Sequence, residues 1–197
     1  MLDFVRTWLF PAVCAACDVP GLALCDRCAP ASCDAVRFVL DGIPAFALGP
    51  YDGALRRAIV AMKNGERDPL DAFADLLAAR APLDGALVPL PTSRARRAER
   101  GFDQSIQLAR RVAVRRGGVT CAELLDKRGS AQEGLRRRER LAATGRFRLR
   151  ADVPLPNAVT LLDDVCTTGA TACDAAGILR AAGVDVRGIV VVARSGT

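Results

Sequence analysis

Apolar and polar positions along the chain alternate in a way that predicts strands and helices in turn. The apolar stretch Met1–Phe10 is interrupted by Asp3 and Arg6 and lacks a following small-residue cleavage site. It is therefore expected to be a short helix packed on the domain rather than an export signal. Phe46–Met62 reads as a strand followed by a helix, with Tyr51-Asp52-Gly53 as the turn, and Asp71–Arg80 as an amphipathic helix closed by Pro82 and Gly85. Ala86–Leu90 is a short apolar run punctuated by Pro89 and Pro91. Asp103–Arg116 carries Ile106, Ala109 and Ala113 on one helical face and ends at Gly117-Gly118. The polar, arginine-rich stretch Asp126–Gly145 predicts a mobile loop or hairpin. Ala158–Leu162 reads as a buried strand, Ala170–Ala182 as a helix stopped by Gly183, and Val186–Ala193 as a second buried strand. Strands alternating with helices of this length predict an α/β fold, a parallel sheet flanked by helices, with its ligand at the carboxyl ends of the strands.

Composition adds scale to this picture. With 197 residues, 51% hydrophobic and 25% charged, the chain can bury one α/β core and keep a small appendage. The boundaries expected are a module at residues 1–35 and a main domain at 36–197, with 36–85 supplying linking or hood elements. The net charge of +6 is concentrated, with eight arginines between Arg94 and Arg116 and nine basic residues between Lys127 and Arg150. Such a field suits a polyphosphate or a nucleic acid, and for any single arginine a solvated helix face is an equal alternative. No run approaches the roughly 20 apolar residues of a spanning helix, so membrane insertion is not expected and the cytoplasm is the expected location.

The cysteines change the picture of the first module. Four of the eight stand as Cys14-x2-Cys17 and Cys25-x2-Cys28. Two such knuckles can place four thiolates at the corners of a tetrahedron, the geometry of a closed structural Zn2+ site. A redox pair and a degenerate remnant are the competing readings. Cys33 is a possible substitute for one ligand, while Cys121, Cys166 and Cys173 read as small buried residues.

The most specific feature is Val159–Thr171, in which a buried strand delivers Asp163 and Asp164 and a Thr167-Thr168-Gly169-Ala170-Thr171 turn opens a helix. The turn offers backbone N–H groups and hydroxyls at a helix N-terminus, where a phosphate dianion is favoured. Gly169 is expected to let the backbone approach that phosphate. The adjacent carboxylates can accept hydrogen bonds from two ribose hydroxyls and offset positive charge developing on the sugar ring. These residues call for a ribose 5-phosphate carrying a diphosphate, with Val165 and Cys166 in the same wall.

This segment resembles the thirteen-residue binding motif of type I phosphoribosyltransferases, departing only at Thr160. Paired cysteines, Tyr51-Asp52-Gly53, Lys63, Gly65, Pro89-Leu90-Pro91, Arg100 to Gln104, Gln132, Leu135, Arg140 and Ala193-Arg194 occur in an order similar to the ComF family. Asp103 departs, standing where that family usually has Asn, as do Ala142-Ala143 in a region where Asn is common. The resemblance implies the type I phosphoribosyltransferase fold, and it assigns Pro91, Thr92, Ser93 and Arg94 to the diphosphate, with Arg100, Gln132 and Arg140 as further substrate contacts. Arg96, Arg97 and Arg100, just beyond that loop, carry charge suited to a leaving diphosphate. In similar enzymes Mg2+ travels with the diphosphate and takes few protein ligands.

Two functions follow as expectations. The first is transfer of phosphoribosyl from phosphoribosyl diphosphate to an unidentified base or amine, with loss of diphosphate, in DNA uptake (competence) or nucleotide metabolism. The second is a ribose-phosphate-sensing adaptor that binds single-stranded DNA or proteins of the competence machinery. Few aromatic residues, seven Phe, one Tyr and one Trp, weaken base stacking as a binding mode. With no histidine in the chain, any general base is a carboxylate, water or the nucleophile itself.

Overall fold

The computed structural model describes residues 12–30, 34–127 and 146–196. Its main sheet has the order β1-β2-β7-β6-β3, formed by β1 (Val36–Leu40), β2 (Ile43–Pro50), β3 (Ala86–Pro89), β6 (Ala158–Cys166) and β7 (Asp185–Arg194). All neighbours pair in parallel except β1, which runs antiparallel along β2 at the edge. The sheet is therefore mostly parallel, and alternate residues along β6 and β7 must face opposite helical layers.

They do. Leu162, Val190 and Val192 face one core with Ile59, Met62, Phe73, Leu77 and Leu108. Those residues come from α1 (Gly53–Lys63), α2 (Arg67–Arg80) and α4 (Gln104–Arg116). Leu161, Val159, Ile189 and Val191 face a second core with Ala175, Ala176 and Leu179 of α5 (Ala170–Ala181). Thr160, the one polar position inside β6, is 1% exposed yet satisfied, since its Oγ1 donates to the Asp84 carbonyl at 2.7 Å and accepts from the Asp84 N–H at 3.0 Å. A buried hydroxyl with both partners carries little penalty.

Several elements differ from the sequence expectation, among them the edge strand β1, which it did not include. Helix α2 begins at Arg67 rather than Asp71, because Pro69 falls in the first turn, where its missing N–H has no intrahelical partner to lose. α3 (Arg94–Arg100) was not anticipated: it buries no residue and so leaves no hydrophobic period, although Ser93 accepts from Arg96 N–H as N-cap and left-handed Gly101 ends it. β6 extends to Cys166, carrying the acidic pair within the strand instead of beyond it. The ends of the arginine-rich segment pair as an antiparallel ribbon, β4 (Leu125–Lys127) with β5 (Phe147–Leu149), and its interior lies outside the described residues. So does the proposed helix Met1–Phe10.

The cysteine segment packs on the helical layer of α1 and α2. Cys14, Ala16 and Leu24 are buried in the core they share with those helices. Arg57 Nε donates to the Ala16 carbonyl and Arg80 Nη1 to the Pro30 carbonyl, each at 2.6 Å.

Candidate functional site

β6 and β3 end side by side, Pro89 lying opposite Leu162, so the loops that follow them share one edge of the sheet. There a cavity of about 290 Å3 is lined by Asp163, Asp164, Val165, Thr167 and Thr171 from the β6–α5 junction and by Leu90, Pro91, Thr92, Arg96 and Arg100 from the β3–α3 junction. Tyr51, Lys63, Gln104, Ser105 and Lys127 complete it. Tyr51, Lys63 and Gln104 stand out in the sequence only through the family resemblance, and Ser105 and Lys127 carry no local signal there.

The acidic doublet is held asymmetrically. Asp163 Oδ1 accepts from Ser105 Oγ at 3.0 Å and from the Asp164 N–H at 2.9 Å, while Asp164 pairs with Lys63 Nζ at 3.1 Å. Burial, then the neighbouring Asp164 charge, push the Asp163 carboxyl up to about 7 against the opposing pull of its hydrogen bonds and Lys63. One carboxylate thus has a cation, and the other is poised to change protonation near neutral pH.

The turn that follows leads from β6 into α5. Thr167 and Thr168 are exposed, Gly169 is buried in the left-handed region at φ 79°, and α5 starts at Ala170. The role expected for Gly169 needs refinement. A Cβ there would meet the Leu40 side chain of β1, so the residue is fixed by its positive φ and by close packing beneath the turn. Thr171 Oγ1 accepts from Arg146 Nη1 at 3.0 Å. Cys166 is buried, and Thr168 Oγ1 accepts from the Ala170 N–H at 3.4 Å. Cys166, Thr168, Gly169 and exposed Ala170 shape this turn, but their side chains do not line the cavity.

Asp103 fixes the opposite wall. As N-cap of α4, it accepts from the Ile106 N–H at 3.4 Å, and its other oxygen accepts from the Thr92 N–H at 2.8 Å. Arg97 lies 3.8 Å away. Burial is the main reason its carboxyl sits above the usual range. Ser93 caps α3, and Arg94 is exposed at its start without reaching the cavity.

The arginine cluster divides into two groups. Arg111 and Arg115 pair with Asp71, Arg115 also with Asp75, Arg110 with Glu123, and Arg116 with the Ala78 carbonyl. Those four brace α4 on its neighbours. Arg96 and Arg100 line the cavity, and no ion pair or side-chain hydrogen bond engages their guanidinium groups among the described residues. Gln132 and Arg140 lie outside the described residues.

At the other end of the chain, the Sγ atoms of Cys14, Cys17, Cys25 and Cys28 all lie within 4.8 Å of one another, and those of Cys17 and Cys25 are 3.7 Å apart. A tetrahedral zinc with Zn–S bonds of roughly 2.3 Å requires S···S separations of roughly 3.8 Å, so the four residues fit that ion. Burial raises the Cys14 thiol, but N–H groups of Cys25, Ala16 and Cys17 outweigh it and bring it down to about 6. Burial and the neighbouring thiols push Cys28 up to about 12. Four crowded sulfurs cannot all ionise without a cation, and a metal supplies one. Cys33 lies outside the described residues.

No helix among the described residues is long and apolar enough to cross a membrane. No family model matches the chain. The competence protein ComFC of Streptococcus pneumoniae (strain ATCC BAA-255 / R6) is 38% identical over 85 residues, which make up 43% of this chain and 36% of that protein. The chain thus matches little more than a third of that relative's length. Orotate phosphoribosyltransferase from Aeropyrum pernix aligns with a TM-score of 0.42 and 19% identity, covering 81% of this chain and 75% of that one. Over 43% of its length the chain is thus similar to a competence protein ComFC, and its structure is a mostly parallel α/β sheet preceded by a four-cysteine cluster compatible with structural zinc.

Proposed function

We propose that the protein binds phosphoribosyl diphosphate at the junction of β3 and β6 and transfers its phosphoribosyl group to an acceptor with release of diphosphate. The observation that carries this reading is the meeting, in one cavity, of the acidic doublet, the threonine turn and two arginines without acidic partners among the described residues. The turn from Thr167 to Thr171 holds the 5-phosphate, with backbone donors and the α5 dipole favouring the dianion. Asp163 and Asp164 accept hydrogen bonds from the ribose hydroxyls. The loop Pro91–Arg94 presents N–H groups to the diphosphate, and Arg96 and Arg100 stabilise its charge as it leaves. Gln104 adds a donor: its side chain lines the cavity, is 2% exposed, and its Nε2 has no partner among the described residues.

Mg2+ carried by the diphosphate supplies charge neutralisation for the leaving group. The protein's own part is positional. Positive charge growing on the ribose ring favours ionised Asp163, while Lys63 holds Asp164 in place. In this reading residues 1–35 form a zinc module, 36–197 the transferase-like domain, and Gln132 and Arg140 belong to the substrate contacts. Similarity to the competence protein ComFC supports a role in competence.

Calorimetry with phosphoribosyl diphosphate and Mg2+ tests the reading. Saturable one-to-one binding, lost in Asp163→Asn together with Asp164→Asn, is expected. Equal binding by that double variant and the parent overturns the assignment.

A further inference from the structure

We propose that Gln104 holds the phosphate attached directly to C1 of the substrate, the group whose bond to the sugar breaks in the transfer. The inference rests on the phosphoribosyl reading of the main cavity and adds the group that this side chain meets. Four polar side chains are buried among the described residues, and three of them, Asp103, Gln104 and Ser105, are consecutive at the start of α4; the fourth is Thr160. A buried polar group is costly unless it is hydrogen-bonded. Thr160 has both its partners in Asp84, Asp103 accepts from the Thr92 and Ile106 N–H groups, and Ser105 donates to Asp163. Of the four only Gln104 is unmatched. Its side chain lines the cavity at 2% exposure, and its Nε2 is buried without a partner among the described residues.

The neighbours on either side fix which part of the substrate it meets. Asp103 ties α4 to Thr92, in the loop Pro91–Arg94 given above to the diphosphate. Ser105 ties α4 to Asp163, the carboxylate given to a ribose hydroxyl. Gln104 stands between them on one rigid turn of helix, where successive residues rise only about 1.5 Å. Between the ribose and the terminal phosphate of the substrate lies the phosphate on C1. Arg96 and Arg100 reach the same cavity from α3 and suit the terminal phosphate.

A carboxamide offers two N–H donors without a charge. Rotation about its last bond exchanges nitrogen and oxygen, so the NH2 group turns to a ligand without moving the helix. In the transfer the acceptor forms its bond to C1 as the C1–O bond breaks, the bonding pair passes to the departing diphosphate, and the acceptor's proton goes to solvent. Negative charge therefore grows on the phosphate that Gln104 faces, and a fixed donor in a buried wall holds it more strongly as it grows.

Gln104→Met tests this, because methionine keeps an unbranched side chain of similar length and removes its hydrogen bonds. Urea denaturation of the ligand-free, zinc-loaded chain should give a midpoint equal to or above the parent's, since an unmatched carboxamide is replaced by an apolar group. Calorimetry with Mg2+ then compares ribose 5-phosphate, α-ribose 1,5-bisphosphate and phosphoribosyl diphosphate. The variant is expected to bind ribose 5-phosphate as the parent does, and to bind both ligands that carry a phosphate on C1 about tenfold more weakly. Loss confined to phosphoribosyl diphosphate puts Gln104 on the terminal phosphate and overturns the proposal. Equal binding of all three ligands by parent and variant, or a loss that ribose 5-phosphate shares, overturns it as well. So does a variant that fails to fold or unfolds well below the parent, because the carboxamide then has a structural partner. If phosphoribosyl diphosphate and ribose 1,5-bisphosphate do not bind the parent at all, the phosphoribosyl reading itself falls.

Discussion

Asp163→Asn should stabilise the ligand-free protein at neutral pH while removing its affinity for ribose 5-phosphate. The reason is proton linkage. The Asp163 carboxyl sits at about 7 in the folded chain against an ordinary 3.8, so the folded state binds more protons than the unfolded state between these values. With the folded value raised, this group's contribution is fully present below pH 3.8 and is lost as pH rises through about 7. A separation of about 3 pH units at about 1.4 kcal/mol per unit sets an upper bound of about 4 kcal/mol. Because Lys63 lies against the acidic pair and offsets part of its charge, about 2 kcal/mol is the expected loss. Asparagine keeps the acceptor for Ser105 and cannot ionise. Urea denaturation of parent and variant at pH 5, 6, 7 and 8, with zinc present, gives the stability difference at each pH. The difference should grow in the variant's favour up to about pH 7 and then level off. A difference that stays flat within about 0.5 kcal/mol, or falls with pH, refutes the reasoning.

Three further outcomes follow from the same structure. Cys25→Ser should reduce zinc from about one equivalent per chain and loosen residues 12–30 from α1 and α2, read by elemental analysis and by hydrogen exchange of the backbone around Arg57. Asp103→Ala removes both the α4 cap and the tether to Thr92, and should cost about 1–2 kcal/mol in urea denaturation while weakening diphosphate more than ribose 5-phosphate. Gly85→Ala should destabilise more than Gly169→Ala, because a Cβ at Gly85 collides with the Ala158 backbone whereas one at Gly169 meets the movable end of Leu40; reversed denaturation midpoints would contradict this.

Sequence alone determined what is local. The continuous apolar runs of β6 and β7, buried on both faces of the sheet, and the helical periodicity of α4 are written in short stretches of chain, so element type was legible. The cysteine spacing and the Val159–Thr171 motif were legible for the same reason, because their chemistry lies within a few residues of chain. α3 escaped because an element that buries nothing leaves no periodic trace. Tertiary structure decided whatever depends on meetings across the chain. Lys63 reaches Asp164 and Ser105 reaches Asp163 only because α1 and α4 pack beside the end of β6. The sorting of the arginines into braces and cavity-lining cations depended on which acids the α2–α4 contact brought near. Arg194 was visible only as a letter beside Ala193 until β1 and β2 folded alongside β7, placing Phe38 under its guanidinium and Tyr51 and Asp52 beside it. Hydrophobic periodicity records burial, which each stretch of sequence carries for itself; the partners of a buried charge are set by sheet order, which no single stretch contains.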